Sequence, residues 1–158
     1  MAWLRRAGRG TLPDGATVLW SVAEGGRGRR WRWILSDVDR TRHVGLMELD
    51  ADGRFARLEL DAPEGLVTFH PDAGTGTAHG NIVRSSGVMP LSLAWSDGTG
   101  IAIDGDAFGS ALCPGSGGAV AIGMSGATRS VTAPAPALER DERGVPMLTD
   151  AQEWALEE

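Results

Sequence analysis

The chain has 158 residues, a formal net charge of −6 and a single cysteine, Cys113. This length fits one domain with its own core. The lone cysteine excludes an intramolecular disulfide framework, and the lack of any apolar run of about 18 residues excludes a membrane-spanning helix. An acidic protein repels the phosphate backbone overall, which argues against a nucleic-acid partner. The basic residues are all arginine, with no lysine or tyrosine, so the arginine content partly reflects composition rather than function. Charge is also uneven along the chain: residues 1–43 carry nine Arg against four acids, and the remainder is strongly acidic. The opening "MAWLRRAGRGTLPDG" has no apolar core of a secretory signal, so a reduced, cytoplasmic protein is expected.

Short apolar alternations separated by Gly, Asp and Pro run along the chain, the rhythm of an all-β protein. "TVLWSVA" (17–23) sets Val18, Trp20 and Val22 on one face. "RRWRWIL" (29–35) sets Trp31, Trp33 and Leu35 on one face, with Arg30 and Arg32 on the other. Between them "EGGRG" (24–28) supplies glycines for a tight hairpin. "RHVGLMEL" (42–49) and "RFARLEL" (54–60) flank the turn "DADG", and "DAPEG" precedes "LVTFH" (66–70). "TAHGNIVR" (77–84), "VMPLSLAW" (88–95) and "IAI" (101–103) continue the series, with Pro90 marking a strand start, a bulge or an edge.

Beyond Ala107 the pattern weakens. "AFGSALC" (107–113) fits a helical turn or a strand, "AVAIGM" (119–124) a strand, and "RSVTA" (129–133) a weak one. "TDAQEWALEE" (149–158) reads as a short amphipathic helix capped by Thr149 or Asp150. The expectation is an antiparallel meander of about nine to eleven strands, curled or closed into an incomplete barrel. Residues 1–14 would form an N-terminal arm, 15–133 the β domain, and 134–158 a Pro-rich, acidic segment docked on it. The inward set is Val18, Trp20, Val22, Trp31, Trp33, Leu35, Ala56, Leu58, Leu60, Val67, Phe69, Ile82, Leu91, Leu93 and Trp95.

The stretch "GGRGRRWRW" (25–33) invites a nucleic-acid reading, but period 2 sends its Trp and Arg to opposite faces, where they cannot interleave. Two readings remain open: Trp31 and Trp33 are core, or they line a ligand cavity in the concave face. In the second, Trp20, Trp31, Trp33 and Trp95 form the wall, and Arg30, Arg32, Arg54 and Arg57 are partners for an anionic headgroup. His70, His79 and Asn81, with Asp72, form a polar rim near one turn. Two His and a carboxylate can ligate a metal, but His43, the third histidine, is distant in sequence, so no metal site and no cofactor are expected. "GTGTAHG" has the wrong spacing and context for a dinucleotide loop, and "GMSGA" lacks the spacing of a nucleophile elbow. A catalytic set drawn from Cys113 or Ser110 with His79 and Asp104 has no motif behind it, so no catalytic residue is assigned.

Residues 15–95 resemble a bacterial family of glycolipid-binding proteins. The features are an opening strand "VLWSVAEG", a Trp/Arg-rich strand, the Asp-Gly hairpin "DADGRFARLEL" and the tail "GVPMLTDAQEWALEE". The family's signature, alternating Asp followed by a Thr-Pro-Phe-Thr-Asn stretch, is missing, so no site residue carries over. The resemblance implies a curled sheet like that of periplasmic lipoprotein carriers, and a lipid-like ligand. The functional expectation is a non-enzymatic binder of an apolar or amphipathic small molecule. The alternatives are an interaction or structural module, as a candidate homodimer, and a hydrolase-type enzyme.

Overall fold

The computed structural model describes residues 4–132 and 137–157, with side chains to Trp154. Among these residues, nine antiparallel strands form one sheet, built almost entirely as a meander. The first eight, in chain order, are β1 (Leu4–Thr11), β2 (Thr17–Gly25), β3 (Gly28–Ser36), β4 (Thr41–Leu49), β5 (Phe55–Ala62), β6 (Gly65–Pro71), β7 (Thr77–Arg84) and β8 (Gly87–Ala94). A small cap follows: β9 (Gly100–Ile103), helix α1 (Ala107–Leu112), β10 (Ala119–Gly123) and β11 (Gly126–Ser130). The chain then returns to add β12 (Thr149–Glu157) beside β1. The main sheet has the order β12-β1-β2-β3-β4-β5-β6-β7-β8, and the cap sheet β11-β10-β9.

The alternation seen in the sequence becomes the inside-outside pattern of the sheet. Trp20 pairs with Trp33, Val22 with Trp31 and Val18 with Leu35 across β2 and β3, all buried. Twelve of the fifteen expected inward positions are buried, and Leu93 and Trp95 are partly buried against the same core. Ala56 is the one that differs. Met47 faces Leu58 and Glu48 faces Arg57, but Leu49 faces Phe55, so β5 carries one extra residue there. This bulge turns Phe55 into the core in place of Ala56.

The cap covers the inner face. Phe108 of α1 packs on Trp20, Trp31 and Trp33, with ring centroids 6.5, 6.1 and 6.0 Å away. At the other side of the sheet, Phe55, Phe69 and Trp95 form a second aromatic group, and β11 lies against β8. The sheet wraps around this cap without closing, since β12 and β8 are opposite edges.

Both ends of the chain depart from expectation. The segment read as an arm contains β1, which pairs on both sides. Its inward positions are Gly8 and Gly10 rather than apolar residues, so no alternation announces it. Trp20 lies across Gly8, its cross-strand partner, where a Cβ would sit 2.5 Å from the indole. The segment read as a C-terminal helix is instead strand β12. A helix this short cannot hold alone, whereas the open edge of β1 supplies a full row of backbone partners. Among the described residues the helix is α1, one of the two readings of "AFGSALC". The expected boundary at 133–134 lies outside the described residues.

Candidate functional site

One buried carboxylate joins sheet to cap. Asp106 follows β9, its side chain fully buried. Its Oδ1 accepts the Gly109 amide and so caps α1. Its Oδ2 accepts from Trp33 Nε1 at 2.7 Å and lies 2.6 Å from His43 Nε2. An ionised carboxylate only accepts, so the imidazole donates through Nε2. His43 and Asp106 are 63 residues apart, and no spacing rule joins them. One signal was legible, however: His43 is in phase with Gly45 and Met47 on the inward face of β4.

Beside this junction opens a cleft of about 500 Å³ between the β1–β2 turn, β9 and α1. Leu12, Pro13, Ile101, Ile103, Ala107 and Pro114 give it a mainly apolar lining. Arg42 stands at its rim, bonded to Asp37 at 2.6 Å, to Asp14 at 3.2 Å and to the Gly105 carbonyl at 3.3 Å. This guanidinium holds the Asp37 carboxyl below the usual carboxylate range. The Asp14 carboxyl is lowered first by the Ala16 amide and then by Arg42. Ser110 also borders the cleft, but its hydroxyl is committed to the main chain of Ile103 and Asp106.

The residues singled out in the sequence fall into three places. Trp20, Trp31 and Trp33 lie under Phe108, and Trp31 and Trp33 are each 1% exposed, which is core packing. Arg30, Arg32 and Arg57 lie on the outer face, where Arg30 bonds Glu48 and Arg57 contacts Glu59. The same period 2 that separates them from the tryptophans prevents the two sets from gripping one ligand. Arg54 and Trp95 do meet: they line a recess of about 540 Å³ at the hairpin end of the sheet, opposite the α1 cleft.

His70 pairs with His79, and Thr68 with Asn81, on the outer face of β6 and β7. Asp72 contacts His79 Nδ1 and lies 3.6 Å from His70 Nε2. Among the described residues, no group of three or more His, Cys, Asp or Glu has an arrangement that could hold a metal ion. His79 is thus engaged on the outer face, while Ser110 and Cys113 belong to the cap. Burial pushes the Cys113 thiol up to about 11, so it stays protonated and unreactive near neutrality.

Comparison with protein families, with characterised proteins and with solved structures finds no match in any of the three. Among the described residues, no helix is long and apolar enough to cross a membrane.

Proposed function

We propose that the protein is a non-catalytic binder of an apolar or amphipathic small molecule, held in the cleft beside α1 at the margin of the concave face. The observation that carries this is the cleft itself: about 500 Å³, apolar in its walls, with Arg42 at its rim. This is the size and chemistry of ordinary small-molecule sites. The ligand sits beside the tryptophan wall rather than on it, because Phe108 covers that wall. A lipid-like ligand is also what the resemblance to glycolipid-binding proteins implies.

Native mass spectrometry of the freshly purified protein is expected to show a mass excess that disappears on denaturation. A fluorescent fatty acid should then bind the stripped protein saturably. Ala102→Phe, which projects a ring from the cleft lining, should weaken that binding by about tenfold or more, the equivalent of more than about 1.4 kcal/mol, with an unchanged melting temperature. No carried mass together with no saturable binding refutes the reading.

One further observation favours a second reading, a homodimer through the outer face. Leu19, Ile34, Val44, Leu66, Val83 and Val88 lie in one cross-strand row, interrupted only by Asp61. All six are exposed, Val88 most of all at 62%. An exposed apolar row of this kind, broken at one position, marks contact surfaces. Sedimentation should then show a dimer that Val44→Asp converts to a monomer. A monomer at every concentration removes this reading.

A further inference from the structure

At the hairpin end of the sheet, remote from the α1 cleft, lies a groove of about 700 Å³. It is bordered by the β2–β3 and β4–β5 hairpins on one side and by residues 112–116 of the cap on the other. Three arginines from separate parts of the chain line it: Arg29 from β3, Arg54 beside β5, and Arg140 from the segment leading to β12. It runs into the recess that holds Trp95, sharing Asp50, Arg54, Phe55 and Thr99 with it.

The charged groups around this groove are unevenly committed to partners. Glu24, Asp50 and Asp52 also line it and formally offset the arginines. Glu24, however, lies between Arg6 and Arg29, at 3.6 and 3.7 Å. Asp50 Oδ1 is taken up by the amides of Asp52 and Arg54, which build the hairpin turn. Arg54 has one partner, Asp97, at 3.4 Å in an exposed pair that contributes little. Arg140 has no side-chain ion pair or hydrogen bond among the described residues. Of the acids nearest it in sequence, Asp141 is bonded by Arg143, and Glu139 and Glu142 border a second recess that Arg140 and Arg29 also line.

Arg140 is also held in place. Its backbone bridges Pro146, Met147 donates to the Glu139 carbonyl and Asp141 donates to Val145. Leu138 and Val145 anchor this small hairpin in the core. Arg140 and Cys113 both line the groove. Gly25, Gly53, Gly98 and Gly115 also line the groove with at least partly exposed main chain. An incompletely neutralised cation on a rigid support, facing a roomy polar groove, is a site for an oxyanion.

We propose that this groove binds a small phosphorylated molecule, with Arg140 and Arg54 gripping the phosphate. The site is independent of the α1 cleft and needs no ligand there. It does need local charge to overcome the repulsion of an acidic protein, so binding should weaken as salt rises.

The test uses the full chain labelled at arginine Nε. Inorganic phosphate should shift the Arg140 and Arg54 signals saturably, while chloride at matched ionic strength should not. Arg140→Ala removes an exposed side chain and should leave the melting temperature unchanged. It should raise the phosphate dissociation constant about tenfold or more. Arg32→Ala, on the outer face, should not. Saturable shifts with phosphate and an Arg140-dependent affinity support the site. Equal shifts with chloride, binding indifferent to Arg140→Ala, or saturation by succinate but not phosphate would each overturn it.

Discussion

Asp106→Ala is expected to lower the unfolding free energy by about 3–5 kcal/mol, the cost typical of breaking a buried charged network by removing one partner. The carboxylate serves three donors at once: the Gly109 amide, the Trp33 indole and the His43 imidazole. Alanine leaves all three without an acceptor in a site closed to water. Two of the donors belong to the sheet and one to α1, so the loss loosens the cap from the sheet as well as uncapping the helix. Asp106→Asn keeps one acceptor oxygen and should fall between wild type and alanine. Urea titrations followed by tryptophan fluorescence check both variants. A change below about 1 kcal/mol for alanine would show that the junction is held by packing alone.

Gly45→Ala is expected to destabilise by about 2–3 kcal/mol, through overpacking of a site with no slack. Gly45 is the cross-strand partner of Trp33. A Cβ there would lie 2.2 Å from Trp33 Cζ2 and 2.3 Å from Cε2. The ring cannot swing aside: its N–H is tied to Asp106, and Gly109 closes its other side, where a Cβ would lie 2.7 Å from the same ring. Gly117→Ala serves as the control, since nothing lies within 4 Å of a Cβ at that position, and it should change stability by less than about 0.5 kcal/mol. Equal melting temperatures for the two variants would mean that Trp33 repacks freely.

These two positions also show what could be read from the chain and what could not. Strands β2, β3 and β6 were the most legible because their inward residues are large and apolar with period 2. Strand β1 was hidden because its inward residues are glycines making room for a neighbour's indole. The same pairing of Trp with Gly at Trp33 and Gly45 is visible only once the register is known. Strand β12 was hidden for another reason: nine residues with several helix formers carry no sign that an unpaired edge awaits them. Of the residues expected at a site, Arg54 and Trp95 share a recess because turns bring them to one end of the sheet. Asp106 ends the stretch "DGD" (104–106), whose composition announces a turn and not the cap it gives α1. Its other role depends on His43 and Trp33, which approach it only after the cap folds down. Arg140 lay in a Pro- and charge-rich stretch where sequence alone gives a side chain no direction.

The pairing of β12 with β1 has a consequence for synthesis. Arg9 and Gln152, bonded across these strands, are 143 residues apart. As the chain emerges, β1 to β8 can join in order, each new strand docking on the one before. The far side of β1 stays uncovered until β12 has been made, and an uncovered strand recruits strands from other chains. Arg5, Arg6 and Arg9 sit on that strand. Their positive charges would repel the same strand of a neighbouring nascent chain, the role of a gatekeeper. The acidic β12, carrying Asp150, Glu153 and Glu157, is the strand whose charge suits the waiting edge. The concentration of arginine near the start of the chain thus favours the correct final pairing over premature association on the polysome.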